Sequence, residues 1–154
     1  MGSQALDEFW NRYVVAQGSN EVPESRYETD KFGDSPDQAT ELGSLVLSGR
    51  KTASCSSLWE WEAEGRQPPR AGDRTIILDG QELPICIIET TEVQTRKFSE
   101  VDEGLAYDEG EDDRSLESWR RIHWEFFSRV LPRIGRQPSR EMPLICERFR
   151  VIFP

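Results

Sequence analysis

The chain has 154 residues, of which 36% are hydrophobic and 31% are charged, and its formal net charge is -10. This length is sufficient for one domain with its own hydrophobic core. The acidic balance disfavours extended, nonspecific binding of nucleic acids, because an acidic surface repels phosphate groups. No apolar run approaches the length of a membrane span, and the first residues lack a basic leader. We therefore expect no membrane partner, no signal peptide and a cytoplasmic location.

The cysteines Cys55, Cys86 and Cys146 are far apart in the sequence and lack the paired spacing of a zinc site or a redox motif. We therefore expect reduced thiols and no structural metal. A domain of this size does not require disulfide bonds for stability.

The first predicted element is an amphipathic helix near the N-terminus. Its apolar residues recur at the spacing of one helical face and comprise Leu6, Phe9, Trp10, Tyr13 and Val14. The polar stretch from Gly18 to Asp34 predicts a connecting loop. We expect the helix to pack on the rest of the chain.

The second predicted helix begins after Ser35, which is a suitable N-cap. Pro36 takes the first helical position, and Gln38 completes a capping box. Gly49 supplies the residue that can adopt a left-handed turn at the C-terminus of the helix. The apolar stripe between these ends comprises Ala39, Leu42, Leu45 and Val46.

The segment after this helix has the sequence GRKTAS at 49–54, in which a lysine lies beside two hydroxyl residues. Only three of the 19 basic residues are lysines, so Lys51 is a more specific choice than a random surface charge. A strand from Thr52 to Ser57 would turn Lys51 and Ser54 to opposite faces, whereas a twist or bulge would bring them together. The alternative interpretation of Lys51 is a solvated charge that complements the helix dipole.

The following segments predict a short helix and several strands. The short helix extends from Leu58 to Gly65, and Asp79-Gly80 indicates a tight hairpin. The predicted strands extend from Arg74 to Leu78, from Leu83 to Thr95 and from Met142 to Phe153.

An acidic run from Asp102 to Asp113 precedes a long predicted helix from Arg114 to Leu131. The apolar stripe of this helix contains His123, the only histidine of the chain. We interpret His123 as a buried imidazole whose hydrogen bond is structural. The rest of the stripe comprises Leu116, Trp119, Phe126, Phe127 and Val130.

Five segments together resemble the ASCH domain family of the PUA-like superfamily. They are GRKTAS at 49–54, AGD at 71–73, IETTEV at 88–93, AYDEGE at 106–111 and CERF at 146–149. The resemblance implies an α+β fold, a small PUA-like β-barrel flanked by helices, with a cleft bordered by the lysine segment. It divides the chain into an N-terminal helix with its loop, residues 1–31, and an ASCH (PUA-like) domain, residues 32–154.

Members of this family are reported to hydrolyse N4-acetylcytidine, to cut RNA or to bind RNA. The acidic surface favours an amidohydrolase that acts on N4-acylated cytidine or a related small amide, with a small nucleoside as partner. The alternatives are a divalent-metal-assisted ribonuclease on single-stranded RNA and a non-enzymatic RNA- or nucleotide-binding module. No cofactor is expected, except a divalent metal under the ribonuclease alternative.

By motif position, the resemblance implies catalytic roles for Lys51, Ser54 and Glu109. Lys51 and Ser54 would supply base and nucleophile, and Glu109 would orient the base or contact the edge of the cytosine ring. A lysine acts as a base only when its pKa is lowered from the ordinary value of about 10.4. The acidic stretch is longer here than in the resembling enzymes, so Glu111 is an alternative to Glu109. The expected substrate-binding residues are Arg50, Thr52, Trp59, Tyr107 and Glu111. The two aromatic residues would stack on a base, or would pack in the barrel instead.

Overall fold

A curled five-stranded sheet with the shape of a half-barrel forms the centre of the fold. The structure is a computed structural model that describes residues 2–18 and 27–154. Its strands are β1 (Glu28–Asp30), β2 (Ala53–Ser57), β3 (Arg74–Leu78), β4 (Pro84–Lys97) and β5 (Pro143–Phe153). They are arranged in the order β1-β3-β4-β5-β2. The β1–β3 pair is parallel, and the other neighbouring pairs are antiparallel.

Helices pack around this sheet. Those of the described residues are α1 (Gly2–Gln17), α2 (Pro36–Ser48), α3 (Leu58–Ala63), α4 (Glu103–Glu109) and α5 (Leu116–Val130). Two 3₁₀ turns, Phe98–Glu100 and Leu131–Ile134, follow β4 and α5. Within residues 2–18 and 27–154, no helix combines the length and the apolar character that a membrane crossing requires. The predicted α+β fold with a PUA-like sheet is confirmed.

The predicted N-terminal helix is confirmed as α1, and it packs on the sheet as expected. Its residues Phe9, Trp10 and Tyr13 are buried in one cluster with strand residues Ile76, Leu78 and Ile87. The Phe9 ring also contacts the Phe153 ring edge to face, with centroids 5.3 Å apart. The helix thus covers one end of the sheet through the apolar stripe that its sequence predicts.

The capping signals of α2 act largely as predicted. The Ser35 hydroxyl accepts a hydrogen bond from the Gln38 backbone N–H at 3.2 Å, and Gly49 ends the helix with a φ of 84°. The Gln38 side chain accepts from the backbone N–H of Asp34 at 2.8 Å, one residue before the N-cap. In the simple capping box this side chain would bond the backbone N–H of the N-cap itself. Here the reciprocal bond is shifted by one residue towards the N-terminus.

The predicted hairpin joins β3 and β4. The Asp79 carboxylate accepts hydrogen bonds from the backbone N–H groups of Gln81 and Leu83, at 2.8 and 3.0 Å. Gly80 lies against the start of α2, because a Cβ at this position would be 2.2 Å from the Pro36 carbonyl oxygen. The hairpin tip therefore helps to fix the N-terminus of α2 against the sheet.

Two elements differ from the prediction. The predicted loop from Gly18 to Asp34 contains β1, whose polar residues form a strand because they pair with β3; residues 19–26 of that loop lie outside the described residues. The acidic run contains α4, which begins where the Asp102 carboxylate accepts from the Leu105 N–H at 2.9 Å. Leu105 and Ala106 are buried, so two small apolar anchors stabilise a helix within an acidic sequence.

The thiols of Cys55 and Cys146, which are far apart in the sequence, are neighbours in the sheet. The two residues face each other across the β2–β5 pair, and their Sγ atoms are 3.3 Å apart. Both thiols are free and buried, as is that of Cys86. Cys55 and Cys146 both belong to one buried cluster with residues of α4 and α5, so the edge strand β2 is part of the core.

Candidate active site

A pocket of about 300 Å³ lies between α2, β2 and α5, and we call it the charged pocket. Its charged and titratable lining residues are Lys51, Glu109, Glu111 and His123, together with Glu41, Asp112 and Arg129. Its apolar side includes Phe32, Leu42, Leu45, Ile122 and Phe126. The helix from Pro36 to Ser48 and the lysine segment after it therefore both border this pocket.

The turn after α4 positions the charged groups around Lys51. Gly110 has a φ of 73°, and a Cβ on it would lie only 2.3 Å from the Arg50 carbonyl oxygen. Glu109 and Glu111 flank this glycine, so the close approach places one carboxylate on each side of Lys51. The Arg50 guanidinium holds the turn by donating to the Gly110 and Asp112 carbonyl oxygens at 2.7 and 2.8 Å.

Lys51 is buried, with only 2% of its surface exposed, and its ammonium group is surrounded by acceptors. Its Nζ lies 3.0 Å from Glu111 Oε2 and 3.7 Å from Glu109 Oε1. It also donates to the Glu109 carbonyl oxygen at 3.4 Å, and it lies 5.4 Å from the centre of the Phe32 ring. Burial alone would lower the Lys51 pKa, but the carboxylates of Glu109 and Glu111 raise it. The resting site therefore contains an ammonium ion, which is the opposite of the lowered pKa that a lysine base requires.

Glu109 is the most highly connected residue of the charged pocket. Its Oε1 accepts from the Cys55 backbone N–H at 2.7 Å. Its Oε2 accepts from the Trp119 indole N–H and lies 2.8 Å from His123 Nε2. Burial alone would raise the Glu109 pKa, but the charges of Lys51 and His123 and these hydrogen bonds hold it well below the usual range. Glu109 is therefore a fixed, ionised carboxylate behind Lys51.

His123 is buried and hydrogen-bonded, as predicted, but its partner is the carboxylate of Glu109. Its Nδ1 lies 2.9 Å from the Trp119 carbonyl oxygen, while Nε2 faces Glu109. Both neighbours only accept hydrogen bonds, so the arrangement favours the doubly protonated ring. Burial alone would lower the His123 pKa, but Glu109 raises it. The ring also stacks on the Trp119 indole, with centroids 4.2 Å apart.

The structure brings Lys51, Ser54, Glu109 and Glu111 together in the lining of the charged pocket. Lys51 and Ser54 share the pocket although strict alternation along a strand would separate them. Burial alternates from Lys51 to Ser57, with Lys51 in phase with Cys55, but the pocket lining includes both Ser54 and its neighbour Cys55. Within the described residues, no hydrogen bond joins the Ser54 hydroxyl to Lys51 or to either carboxylate.

Four expected substrate-binding residues lie outside the lining of the charged pocket. The Arg50 side chain bonds the turn after α4, and the Thr52 hydroxyl donates to the Asp108 carbonyl oxygen at 3.4 Å. Trp59 packs against the core, with the Arg136 guanidinium 4.6 Å from its ring centre. Tyr107 points outward, and the Arg114 guanidinium covers its ring at 3.6 Å. Structural contacts therefore occupy these four side chains.

Sequence reasoning missed the contribution of His123 and Trp119 to this site. Both residues belong to the apolar stripe of α5, where they are four positions apart and share one helical face. Their polar atoms converge on Glu109 only because α4 ends beside that face. One signal in the sequence could have indicated this contribution: a tryptophan and a histidine share one helical face directly after an acidic segment.

Glu109, Glu111 and His123 also present ligand atoms that lie within 4.8 Å of one another. These are ligand types that divalent cations accept. However, Lys51 is bonded to both carboxylates, and His123 is bonded to Glu109. The set therefore fits a metal ion only after the Lys51 ammonium has been displaced.

A half-barrel sheet with flanking helices and a charged pocket beside its edge strand defines an α+β domain of the PUA-like class. The family model of the ASCH domain matches residues 28–153. The chain belongs to the ASCH domain family, which confirms the resemblance of its sequence motifs.

Two crystal structures support this assignment. A protein from Enterococcus faecalis, assigned to the family model DUF984, is 36% identical with a TM-score of 0.88, and the match covers 97% of this chain and 89% of that one. An ASCH domain from Lactobacillus crispatus is 32% identical with a TM-score of 0.90, and the match covers 98% of this chain and 96% of that one. Among curated proteins, none matches this chain.

Proposed function

We propose that the protein is a hydrolase that cleaves the amide bond of N4-acylated cytidine or a closely related small amide. The observation that carries this proposal is the Lys51 ammonium group, which is buried between the carboxylates of Glu109 and Glu111 in the lining of a pocket. A cation in a site with little water stabilises a developing oxyanion strongly.

The size and lining of the charged pocket suit a small neutral substrate. Its volume of about 300 Å³ is at the lower end of the range for small-molecule sites. Phe32 and Phe126 offer aromatic surface to a flat ring, and the Lys51 ammonium group lies 5.4 Å from the centre of the Phe32 ring. A neutral nucleoside also approaches a chain of net charge -10 without the repulsion that a polyanion meets.

The chemistry begins with a water molecule activated by Glu111. As the water oxygen forms a bond to the acyl carbon, the Glu111 carboxylate takes the proton and the Lys51 ammonium stabilises the oxyanion. Collapse of the intermediate breaks the C–N bond, and Lys51 gives a proton to the leaving nitrogen. The proton held by Glu111 then returns to Lys51 across their 3.0 Å contact, which restores the starting state.

Glu109 and His123 hold the reacting groups in this scheme. Glu109 is fixed by Cys55, Trp119 and His123, so it keeps Lys51 charged and oriented. The expected base role of the lysine thus becomes that of a proton donor and cation in this proposal. The proposal gives the two acids different roles, with Glu109 as the positioning residue and Glu111 as the base.

Ser54 supports a second version of the same reaction. Its hydroxyl lines the charged pocket, and a serine nucleophile would form an acyl-enzyme that water then hydrolyses. We favour direct attack by water, because the described hydrogen bonds do not link Ser54 to a proton acceptor of the site. Rapid acid quenching followed by mass spectrometry distinguishes the versions, since only the serine route leaves an acyl group on the protein.

The test of the proposed function is incubation of the purified protein with N4-acetylcytidine and separation of the products by chromatography. We expect cytidine and acetate in equal amounts, with no loss of activity when a chelator is added. The variant Lys51→Met is the matched control for contaminating hydrolases, because it keeps an unbranched side chain one atom shorter and removes the charge. Absence of turnover by the wild-type protein on a panel of N4-acylated cytidines would reject the proposal.

A metal-assisted ribonuclease is the second candidate, because three potential ligands lie close together in the charged pocket. The same purified protein is therefore incubated with single-stranded RNA, with manganese or magnesium and with chelator. Cleavage that requires the metal and is lost in His123→Gln would favour the ribonuclease. Binding of RNA without cleavage or amide hydrolysis would favour the non-enzymatic module.

A further inference from the structure

A second cavity lies on the outer side of α5, away from the charged pocket. Its volume is about 650 Å³, and its lining includes Phe98, Arg120, Arg121, Trp124 and Arg140. We call it the arginine pocket. It shares no lining residue with the charged pocket, so the two pockets are separate sites.

The charge of the arginine pocket is opposite to that of the whole chain. Three arginines line it, whereas Glu125 is its only acidic residue, and the chain carries a net charge of -10. Arg121 makes one long ion pair with Asp112, at 3.8 Å. Within residues 2–18 and 27–154, the side chains of Arg120 and Arg140 make no hydrogen bond or ion pair. Two guanidinium groups are therefore available to bind an anion.

The elements around the arginine pocket fix the backbone positions of these arginines. Arg120 and Trp124 are one turn apart on α5, so they lie side by side on one face of the helix. Arg140 approaches from the segment before β5, where its carbonyl oxygen accepts from the Ser99 backbone N–H at 3.0 Å. The neighbouring Phe98 N–H donates to the Met142 carbonyl oxygen, also at 3.0 Å. The pocket is thus formed by two segments that are bonded to each other.

An exposed aromatic ring stands among these arginines. Trp124 is 37% exposed, so part of its indole surface is open to a ligand. Its ring is supported from behind by Phe98, which is buried, with centroids 5.5 Å apart. A supported indole with open surface beside two unpaired guanidinium groups has the chemistry that recognises a base next to a phosphate.

We propose that the arginine pocket binds a nucleoside phosphate, with the base stacked on Trp124 and the phosphate held by Arg120 and Arg140. A free nucleotide and one nucleotide of a single strand share this chemistry. An acidic peptide would satisfy the arginines as well, but it would gain little from the exposed indole. The presence of Trp124 in the same lining as the arginines therefore favours a nucleotide over a protein partner.

Calorimetric titration of the full chain tests this proposal, with adenosine 5′-monophosphate, adenosine, inorganic phosphate and an octamer of single-stranded adenylate as separate probes. We expect the monophosphate to bind at least ~10-fold more tightly than adenosine or phosphate, because base and phosphate contribute together. Trp124→Leu and the double variant Arg120→Ala/Arg140→Ala should each weaken binding by about tenfold. Trp124→Phe should retain most of the affinity.

Arg133→Ala is the matched control, because Arg133 is an exposed arginine in the nearby 3₁₀ turn and does not line the arginine pocket. Equal loss of affinity in this control would overturn the proposal, since it would indicate only the general charge of the protein. Equal binding of phosphate and monophosphate, with no effect of Trp124→Leu, would also overturn it. Absence of binding by every probe would reject the proposal. Hexaglutamate is added as a competing acidic peptide, and competition that is the same in wild type and Trp124→Leu would reject the nucleotide as the ligand.

The octamer identifies the source of the nucleotide once the monophosphate has bound as expected. Affinity at least ~10-fold higher for the octamer, with the same dependence on Trp124 and the arginines, supports a single strand as the ligand. Equal affinities for the octamer and the monophosphate support a free nucleotide.

Discussion

Gly110 lies against the carbonyl group of Arg50, with no room for a side chain between them. A Cβ on Gly110 would lie 2.3 Å from the Arg50 oxygen and 3.0 Å from the Lys51 Cα. The contact joins the turn after α2 to the end of α4. It therefore determines the positions of Glu109 and Glu111 relative to Lys51. The first prediction follows from this contact.

Gly110→Ala should lower both stability and amide hydrolysis, because the added methyl group must push the turn away from Lys51. Gly135→Ala is the matched control: its φ is also 73°, but open space surrounds the position of the added Cβ. We expect the control to cost about 1 kcal/mol through its left-handed backbone alone, and Gly110→Ala to cost clearly more. Urea unfolding of both variants measures the difference. Equal costs would mean that the contact is unimportant.

Lys51→Arg should reduce turnover of N4-acetylcytidine by at least ~100-fold while the charge of the site is retained. The reason is that arginine does not release a proton at neutral pH, so the leaving nitrogen lacks its proton donor. Steady-state kinetics with circular dichroism as a folding check measures this effect. A near wild-type rate would show that Lys51 acts only as a fixed cation.

The two acids beside Lys51 should respond differently to neutral substitution. Glu109→Gln removes a fully buried charge that faces two cations, and we expect a loss of about 3–5 kcal/mol in the free energy of unfolding. Glu111 has 18% of its side chain exposed, so Glu111→Gln should cost little stability but most of the activity. Glu103→Gln, an exposed acid of α4, is the control for charge alone. Similar stability losses in both pocket variants would contradict the division of roles.

Ser54→Ala should keep at least a tenth of the wild-type rate if water attacks the amide directly. Ser56→Ala is the control, because Ser56 lies on the same strand two positions further and accepts a hydrogen bond from the Trp61 indole. Turnover of both variants is compared at saturating substrate. A loss of several orders of magnitude in Ser54→Ala alone would establish the serine as the nucleophile.

The pH dependence of stability should report the pair of Glu109 and His123. The folded pKa of His123 is raised, so its contribution is complete below the ordinary value of 6.5 and is lost as pH rises through the folded pKa. The folded pKa of Glu109 is lowered, so its contribution is complete above the ordinary value of 4.5 and is lost as pH falls through the folded pKa. The stability difference between wild type and His123→Gln should therefore be largest between these two values. A difference that is constant from pH 5 to pH 9 would refute the charged pair.

Local signals in the sequence predicted most of the fold. Ser35, Gly49 and Asp79 act at short range, so their residue types were sufficient to locate a helix and a hairpin. The strand β1 was missed because its three residues pair with β3 through the backbone, without an apolar pattern. The helix α4 was missed because acidic residues outnumber its two buried anchors.

Only those residues of the candidate site that belong to a family motif could be predicted from the sequence. Lys51, Ser54, Glu109 and Glu111 belong to two of the family motifs, and the structure places all four in the charged pocket. The pairing of His123 with Glu109 depends on how α5 docks, which no local pattern encodes. The same limit applies to the Lys51 pKa, since it is set by carboxylates that lie about sixty residues away in the sequence.

The contacts of Glu109 have a consequence for the order of folding. This residue bonds Cys55, 54 positions earlier, and Trp119, 10 positions later, while Lys51 reaches its carbonyl oxygen from 58 positions earlier. Such long-range contacts form late, because the closure of large loops must precede them. Recovery of activity after dilution from denaturant should consequently follow the slowest refolding phase. Catalytic competence and completion of the native topology would then be a single kinetic event.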